Sequence, residues 1–134
     1  MKRVSINETA HQWLNPSVTY VNEHLSDKGY YLAFKLEDRM AERGLTVRAL
    51  AKLSGLRLAT ISDLCNGNKS SVNLQHVTLL MAVLRLTSIT DLVEVVVPEA
   101  EKEICLEESA EWKRTGELPS LTKEIADQIQ KGEA

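Results

Sequence analysis

No apolar run in these 134 residues approaches the ~20 needed to cross a bilayer, and the opening "MKRVSINETAHQWL" lacks a signal-peptide core. Both absences point to a cytoplasmic protein with no membrane partner. Cysteine is scarce: Cys65 and Cys105 lie far apart and outside any C-x-x-C pair, so neither a zinc site nor a disulfide framework is indicated. His11, His24 and His76 lack metal-ligand spacing, and no cofactor is expected. There is no G-x-S-x-G, no phosphate-binding glycine loop and no Cys/His nucleophile arrangement, so the chain reads as a non-enzyme. Internal repeats and low-complexity tracts are missing too. What is present is ordinary for a globular chain, 43% hydrophobic and 26% charged, enough for one domain with appendages.

An overall excess of positive charge is also lacking, since the formal net charge is -3. Its distribution is uneven. Residues 31–97 hold 8 Lys/Arg against 6 Asp/Glu, whereas residues 98–134 hold 5 against 10. The middle and the tail therefore call for separate readings, and what matters for a nucleic-acid partner is where the cations of the middle gather in space.

Three segments follow from the pattern. Residues 1–30 form an N-terminal extension in which Pro16 separates two short candidate helices, "ETAHQWL" after Asn7 and "VTYVNEHL" after Ser17, before a turn at Asp27-Lys28-Gly29. Residues 31–97 predict an all-α bundle of five helices. Leu32, Leu36 and Met40 recur at i, i+4, i+8 up to a stop at Gly44. Thr46 caps "VRALAKLS", with Leu50 and Leu53 expected to turn inward, and Gly55 supplies the corner before a helix from about Arg57 to Cys65 that stops at Asn66-Gly67. Asn73 caps the apolar "LQHVTLLMAVLRL", and "SITDLVEVV" is expected to be a short fifth helix halted by Pro98, although "VEVVV" alone resembles a strand. Residues 98–134 are an acidic helical tail in which Leu121, Ile125 and Ile129 mark one apolar face behind a Ser120 cap.

The stretch "LAKLSGLRLATISDLCNGNKSS" carries the functional signal: a helix, a three- or four-residue corner and a second helix ending at Asn-Gly. On a helical wheel Leu58, Ile61, Leu64 and Cys65 share one arc, expected to be core together with Leu50, Leu53 and Leu56. The opposite arc holds Ala59, Ser62, Asp63 and Asn66, flanked by Thr60. It is small and polar, as a helix entering a major groove about 12 Å wide must be. Thr60 and Ser62 are suited to hydrogen bonds with base edges, Asn66 or Asn68 to adenine or the backbone, Ala59 to a thymine methyl and Asp63 to cytosine N4. Arg57 is placed for guanine or phosphate, and Arg48, Lys52 and Lys69 for the sugar-phosphate backbone.

Leu50-Ala51, Gly55-Leu56, Thr60-Ile61-Ser62, Asn66-Gly67 and the later "NLQHVTLLMAVL", in that order, resemble the helix-turn-helix family of Cro and the lambda repressor. The resemblance covers about Leu32 to Val97. It implies a repressor-like bundle of about five helices that binds double-stranded operator DNA as a homodimer. Val47 stands where family members often carry Gln, and Leu58 and Asp63 where they often carry basic or amide residues. The dimer surface is expected either on Ile89, Leu92, Val93 and Val96 or on Leu121, Ile125 and Ile129. An alternative reading makes the tail an antitoxin-like element that binds a protein partner.

Overall fold

The computed structural model describes residues 1–6, 15–69 and 71–133, with 132 and 133 described by their backbone alone. The candidate helix "ETAHQWL" and His11 lie outside these. Two compact units emerge: Met1–Thr9 with Tyr31–Val96, and Ala10–Tyr30 with Val97–Ala134. Of the described residues before Tyr31, 1–6 belong to the first unit and 15–30 to the second.

The first unit is helical but not all-α. Strand β1 (Lys2–Ser5) pairs antiparallel with β2 (Tyr31–Phe34), which pairs antiparallel with β3 (Val93–Val96), giving the order β1-β2-β3. Two sequence expectations are corrected by this sheet. Leu32, assigned to the first helix by its spacing to Leu36 and Met40, is a strand residue between Val4 and Val95. The expected fifth helix is a single 3-10 turn (Ile89–Asp91) followed by β3. The physical reason is the β-branched run Val93-Glu94-Val95-Val96-Val97, stiff at χ1 and suited to a pleated surface. Ser88 caps the turn, its hydroxyl accepting from the Thr90 N–H at 3.3 Å.

Helices α2 (Leu36–Glu42), α3 (Val47–Ser54), α4 (Leu58–Asn66) and α5 (Leu74–Leu84) complete the unit. Their starts and stops are local. Thr46 Oγ1 accepts from the Ala49 N–H at 3.1 Å, and Asn73 Oδ1 accepts from the N–H groups of Gln75 and His76 at 2.9 and 3.2 Å. The core joins Leu36 and Met40 of α2, Leu50 of α3, Ile61 and Cys65 of α4, Val77, Leu80 and Leu84 of α5, and Leu92. The buried residues of α2, α4 and α5 recur at i, i+3, i+4 or i+7, and on α3 Leu50 is flanked by partly buried Val47 and Ala51, so one stripe of each helix faces the core. The sheet joins this core through its Val4–Phe34 side, which lies against Gly67 at the end of α4. Lys35 holds the opposite edge: its N–H donates to the Leu92 carbonyl at 2.8 Å, and its ammonium reaches Glu94 Oε2 at 2.8 Å and the Thr90 carbonyl at 3.0 Å.

The second unit contains α1 (Pro16–Tyr20), continued by one π-helical stretch (Val21–Leu25), then α6 (Glu99–Thr115) and α7 (Ser120–Glu133). Asn15, not Ser17, caps α1, accepting from the Val18 N–H at 2.9 Å with Pro16 at the first helical position. Helix α1 packs on α7, and Leu121, Ile125 and Ile129 are partly buried. The apolar face of α7 therefore finds cover within the chain. Helix α6 does not: none of its residues is buried, and Ile104, Leu106 and Trp112 are exposed among its glutamates.

Candidate nucleic-acid interface

Helices α3 and α4 are separated by Gly55, Leu56 and Arg57. Gly55 closes α3 in the left-handed region at φ 74°, its N–H donating to the Ala51 carbonyl at 2.8 Å. Ser54 stitches the corner: its hydroxyl donates to the Leu50 carbonyl at 2.7 Å and accepts from the Leu56 N–H at 3.2 Å. Leu50 and Ile61, both fully buried, lock the two helices together beneath this corner. Such a rigid helix pair presents the outer side of α4 and the flank of α3 to one common exterior.

The structure places the candidate residues as follows. Arg48 and Lys52 are exposed on α3, and with Thr46, Ala49, Ala51 and Leu58 they line an open depression of about 520 Å³. Arg57, at the N-cap of α4, is exposed, as are Ala59 and Asn66 on the helix, with Ser62 half-buried between the latter two. Asn66 Nδ2 lies 3.4 Å from Ser62 Oγ, a weak contact one turn apart. Thr60, Asp63 and Lys69 fall on the other flank, where with Ser71, Asn73 and His76 they border a smaller depression of about 240 Å³ floored by Phe34, Leu64, Val72 and Val77. Asn68 is exposed and donates through Nδ2 to Asp63 Oδ1 at 3.3 Å. Asp63 is therefore engaged by the loop that follows α4.

Two positions correct the helical wheel. Leu58 is 45% exposed and Leu53 60% exposed, although both were assigned to the core. Leu58 occupies the first turn of α4, beside the α3 residues Arg48, Ala49, Ala51 and Lys52 that line the open depression. The signal for its exposure was its place at the helix start, not its hydrophobicity. Ser71 and His76 were not among the candidates. They reach the site because the α4–α5 connection folds back beside Thr60, which no local pattern shows.

Electrostatics single out this surface. From Thr46 to Lys69 the chain carries four cations and one carboxylate, a local +3 within a protein of net -3. Elsewhere in the first unit Lys2 and Arg85 are exposed without a salt bridge to another described residue, but the other cations are tethered. Lys35 pairs with Glu94, Arg39 and Arg43 with Glu42, and Arg3 lies over the Tyr31 ring at 4.9 Å. Arg48, Lys52, Arg57 and Lys69 make no hydrogen bond or ion pair with another described residue. They keep their full capacity for an external anion. Helix α4 is also distinct from α3 and α5 in starting without a side-chain cap, so its first N–H groups face outward unsatisfied by a cap.

Among the described residues there is no group of three or more His, Cys, Asp or Glu placed to hold a metal, and no helix long and apolar enough to cross a membrane. Residues 35–98 match the family model of the Cro/C1-type HTH DNA-binding domain. No curated protein and no solved structure matches the chain.

Proposed function

From the membership of residues 35–98 in the Cro/C1-type helix-turn-helix DNA-binding family, we propose that this protein is a cytoplasmic transcriptional regulator, acting as a repressor that occupies a palindromic operator as a homodimer. The reading is carried by one observation: four untethered cations, Arg48, Lys52, Arg57 and Lys69, gather about the uncapped start and the end of a single helix. Helix α4 enters the major groove with Ala59, Ser62 and Asn66 toward the bases. Arg57 reaches guanine or a phosphate at the helix start. Arg48 and Lys52 on one side, and Lys69 with the Asn68 loop on the other, hold the two phosphate backbones and fix register. Thr60 donates from the flank, and Asp63 accepts from cytosine N4 or steadies Asn68.

Nine residues of α4 span only a few base pairs, so useful specificity requires two copies on two half-sites. Leu92 is fully buried and so unavailable to a second copy, and the α7 face is partly covered. Ile89 is exposed, and the exposed apolar residues of α6, Ile104, Leu106 and Trp112, offer the larger cluster for the dimer surface. They equally favour a second reading, in which α6 docks a protein partner with a basic face matching its glutamates. Light scattering on the full chain and on Leu106→Glu separates the two: a dimer that dissociates supports the first, a monomer in both cases the second.

Selection of bound sequences from a random duplex pool tests the main reading, repeated with Arg57→Ala and Ser62→Ala. A palindromic site should emerge, and each variant should relax it at matching positions of both half-sites. Absence of any enriched sequence contradicts the proposal.

A further inference from the structure

An exposed leucine at the head of a groove-reading helix calls for a function. Leu58 is 45% exposed, and Ala59 beside it is exposed as well. Leu58 walls a depression otherwise lined by the methyl groups of Ala49 and Ala51, with Thr46, Arg48 and Lys52 about it. The patch is thus apolar at its floor and cationic at its rim. A protein partner would have to bring an apolar side chain and two carboxylates against it together. A duplex satisfies both at once, because its phosphates meet the cations and its major groove contains one apolar group, the thymine 5-methyl.

We propose that Leu58, together with Ala59, reads thymine methyl groups, so that each half-site carries thymine opposite the start of α4. This rests on the reading of α4 as the groove helix and goes beyond it by naming the base and the chemical group recognised. Burying one methyl group against these side chains contributes about fourfold in affinity. Arg48 and Lys52, gripping the adjacent phosphates, press the two side chains toward the base edges. A hydrogen-bonding readout at the same position would instead need an amide or guanidinium where Leu58 stands.

The test replaces thymines of the selected duplex one at a time by uracil, which pairs identically and lacks only the methyl. Equilibrium binding of the full-length wild-type chain should weaken by about fourfold at one or two positions per half-site and stay unchanged elsewhere. Leu58→Ala should bind the thymine and uracil duplexes alike at one of those positions. If the wild type binds its selected duplex but uracil weakens it nowhere, the inference is overturned while the regulator reading stands. Undiminished thymine preference in Leu58→Ala also overturns it, because the methyl is then sensed elsewhere. If no duplex is selected at all, both fall. The uracil scan needs no variant, so a folding defect in Leu58→Ala does not obscure the answer.

Discussion

Gly67 ends α4 at φ 67°, and its missing side chain is where the sheet meets that helix. A Cβ there would lie 2.6 Å from a Phe34 ring carbon and 2.7 Å from a Val4 methyl. Gly67→Ala combines left-handed strain with overpacking, and urea unfolding should show a loss of about 2–4 kcal/mol. Arg85 is the converse. It closes α5 at φ 58°, the only non-glycine residue with positive φ among those described, with the Leu86 N–H donating to the Met81 carbonyl at 2.8 Å. Arg85→Gly should gain about 1 kcal/mol by the same measurement. The two cysteines differ in reactivity for a stated cause. Burial, aided by the charge of Glu37, pushes the Cys65 thiol up to about 11, whereas Cys105 is exposed. A thiol reagent at pH 8 should modify one cysteine per folded chain and two in denaturant. Because the folded-state value is raised, Cys65 leaves stability unchanged below pH 9. As pH climbs from about 9 toward 11 the unfolded chain loses its proton first, so stability falls, by up to about 1.4 kcal/mol per pH unit.

At the scale of elements, α3, α4 and α5 were legible because their punctuation is local: Thr46, Gly55, Asn66-Gly67 and Asn73 act within four residues of where they stand. Asn73→Ala, which leaves the N–H groups of Gln75 and His76 without their acceptor, should cost about 1 kcal/mol. The sheet was not legible. Leu32, Leu36 and Met40 satisfy helical spacing, yet Leu32 is held by Val4, 28 positions earlier, and Val95, 63 later. No window of local sequence reports such pairings, and short strands depend on their partners more than on their own propensity. Strand β1 looked like part of an appendage and is a structural member. Val4→Ala should therefore destabilise the chain by about 1–3 kcal/mol in urea unfolding, although it lies far in sequence from every helix of the unit. For the candidate site the same division holds. The order of polar and apolar residues placed Ser62 and Asn66 outward, but hydrophobicity alone assigned Leu53 and Leu58 to the core, where the geometry of the corner leaves them exposed.

At the scale of the molecule, net charge is a poor guide to partner. The chain is acidic as a whole, yet its carboxylates concentrate in residues 98–134 while the span from Thr46 to Lys69 is at +3. The central claim is that this span holds a duplex through Arg48, Lys52, Arg57 and Lys69. Its most direct test is the salt dependence of duplex binding, measured by fluorescence anisotropy on the wild type and on Arg48→Gln, Lys52→Gln and Lys69→Gln. The logarithm of the association constant should fall linearly with the logarithm of salt concentration, with a slope of roughly -0.9 per phosphate held. Each neutralised cation should make that slope shallower by about one. No duplex binding at low salt, or slopes indifferent to all three substitutions but altered by Lys113→Gln or Arg114→Gln, would contradict the account.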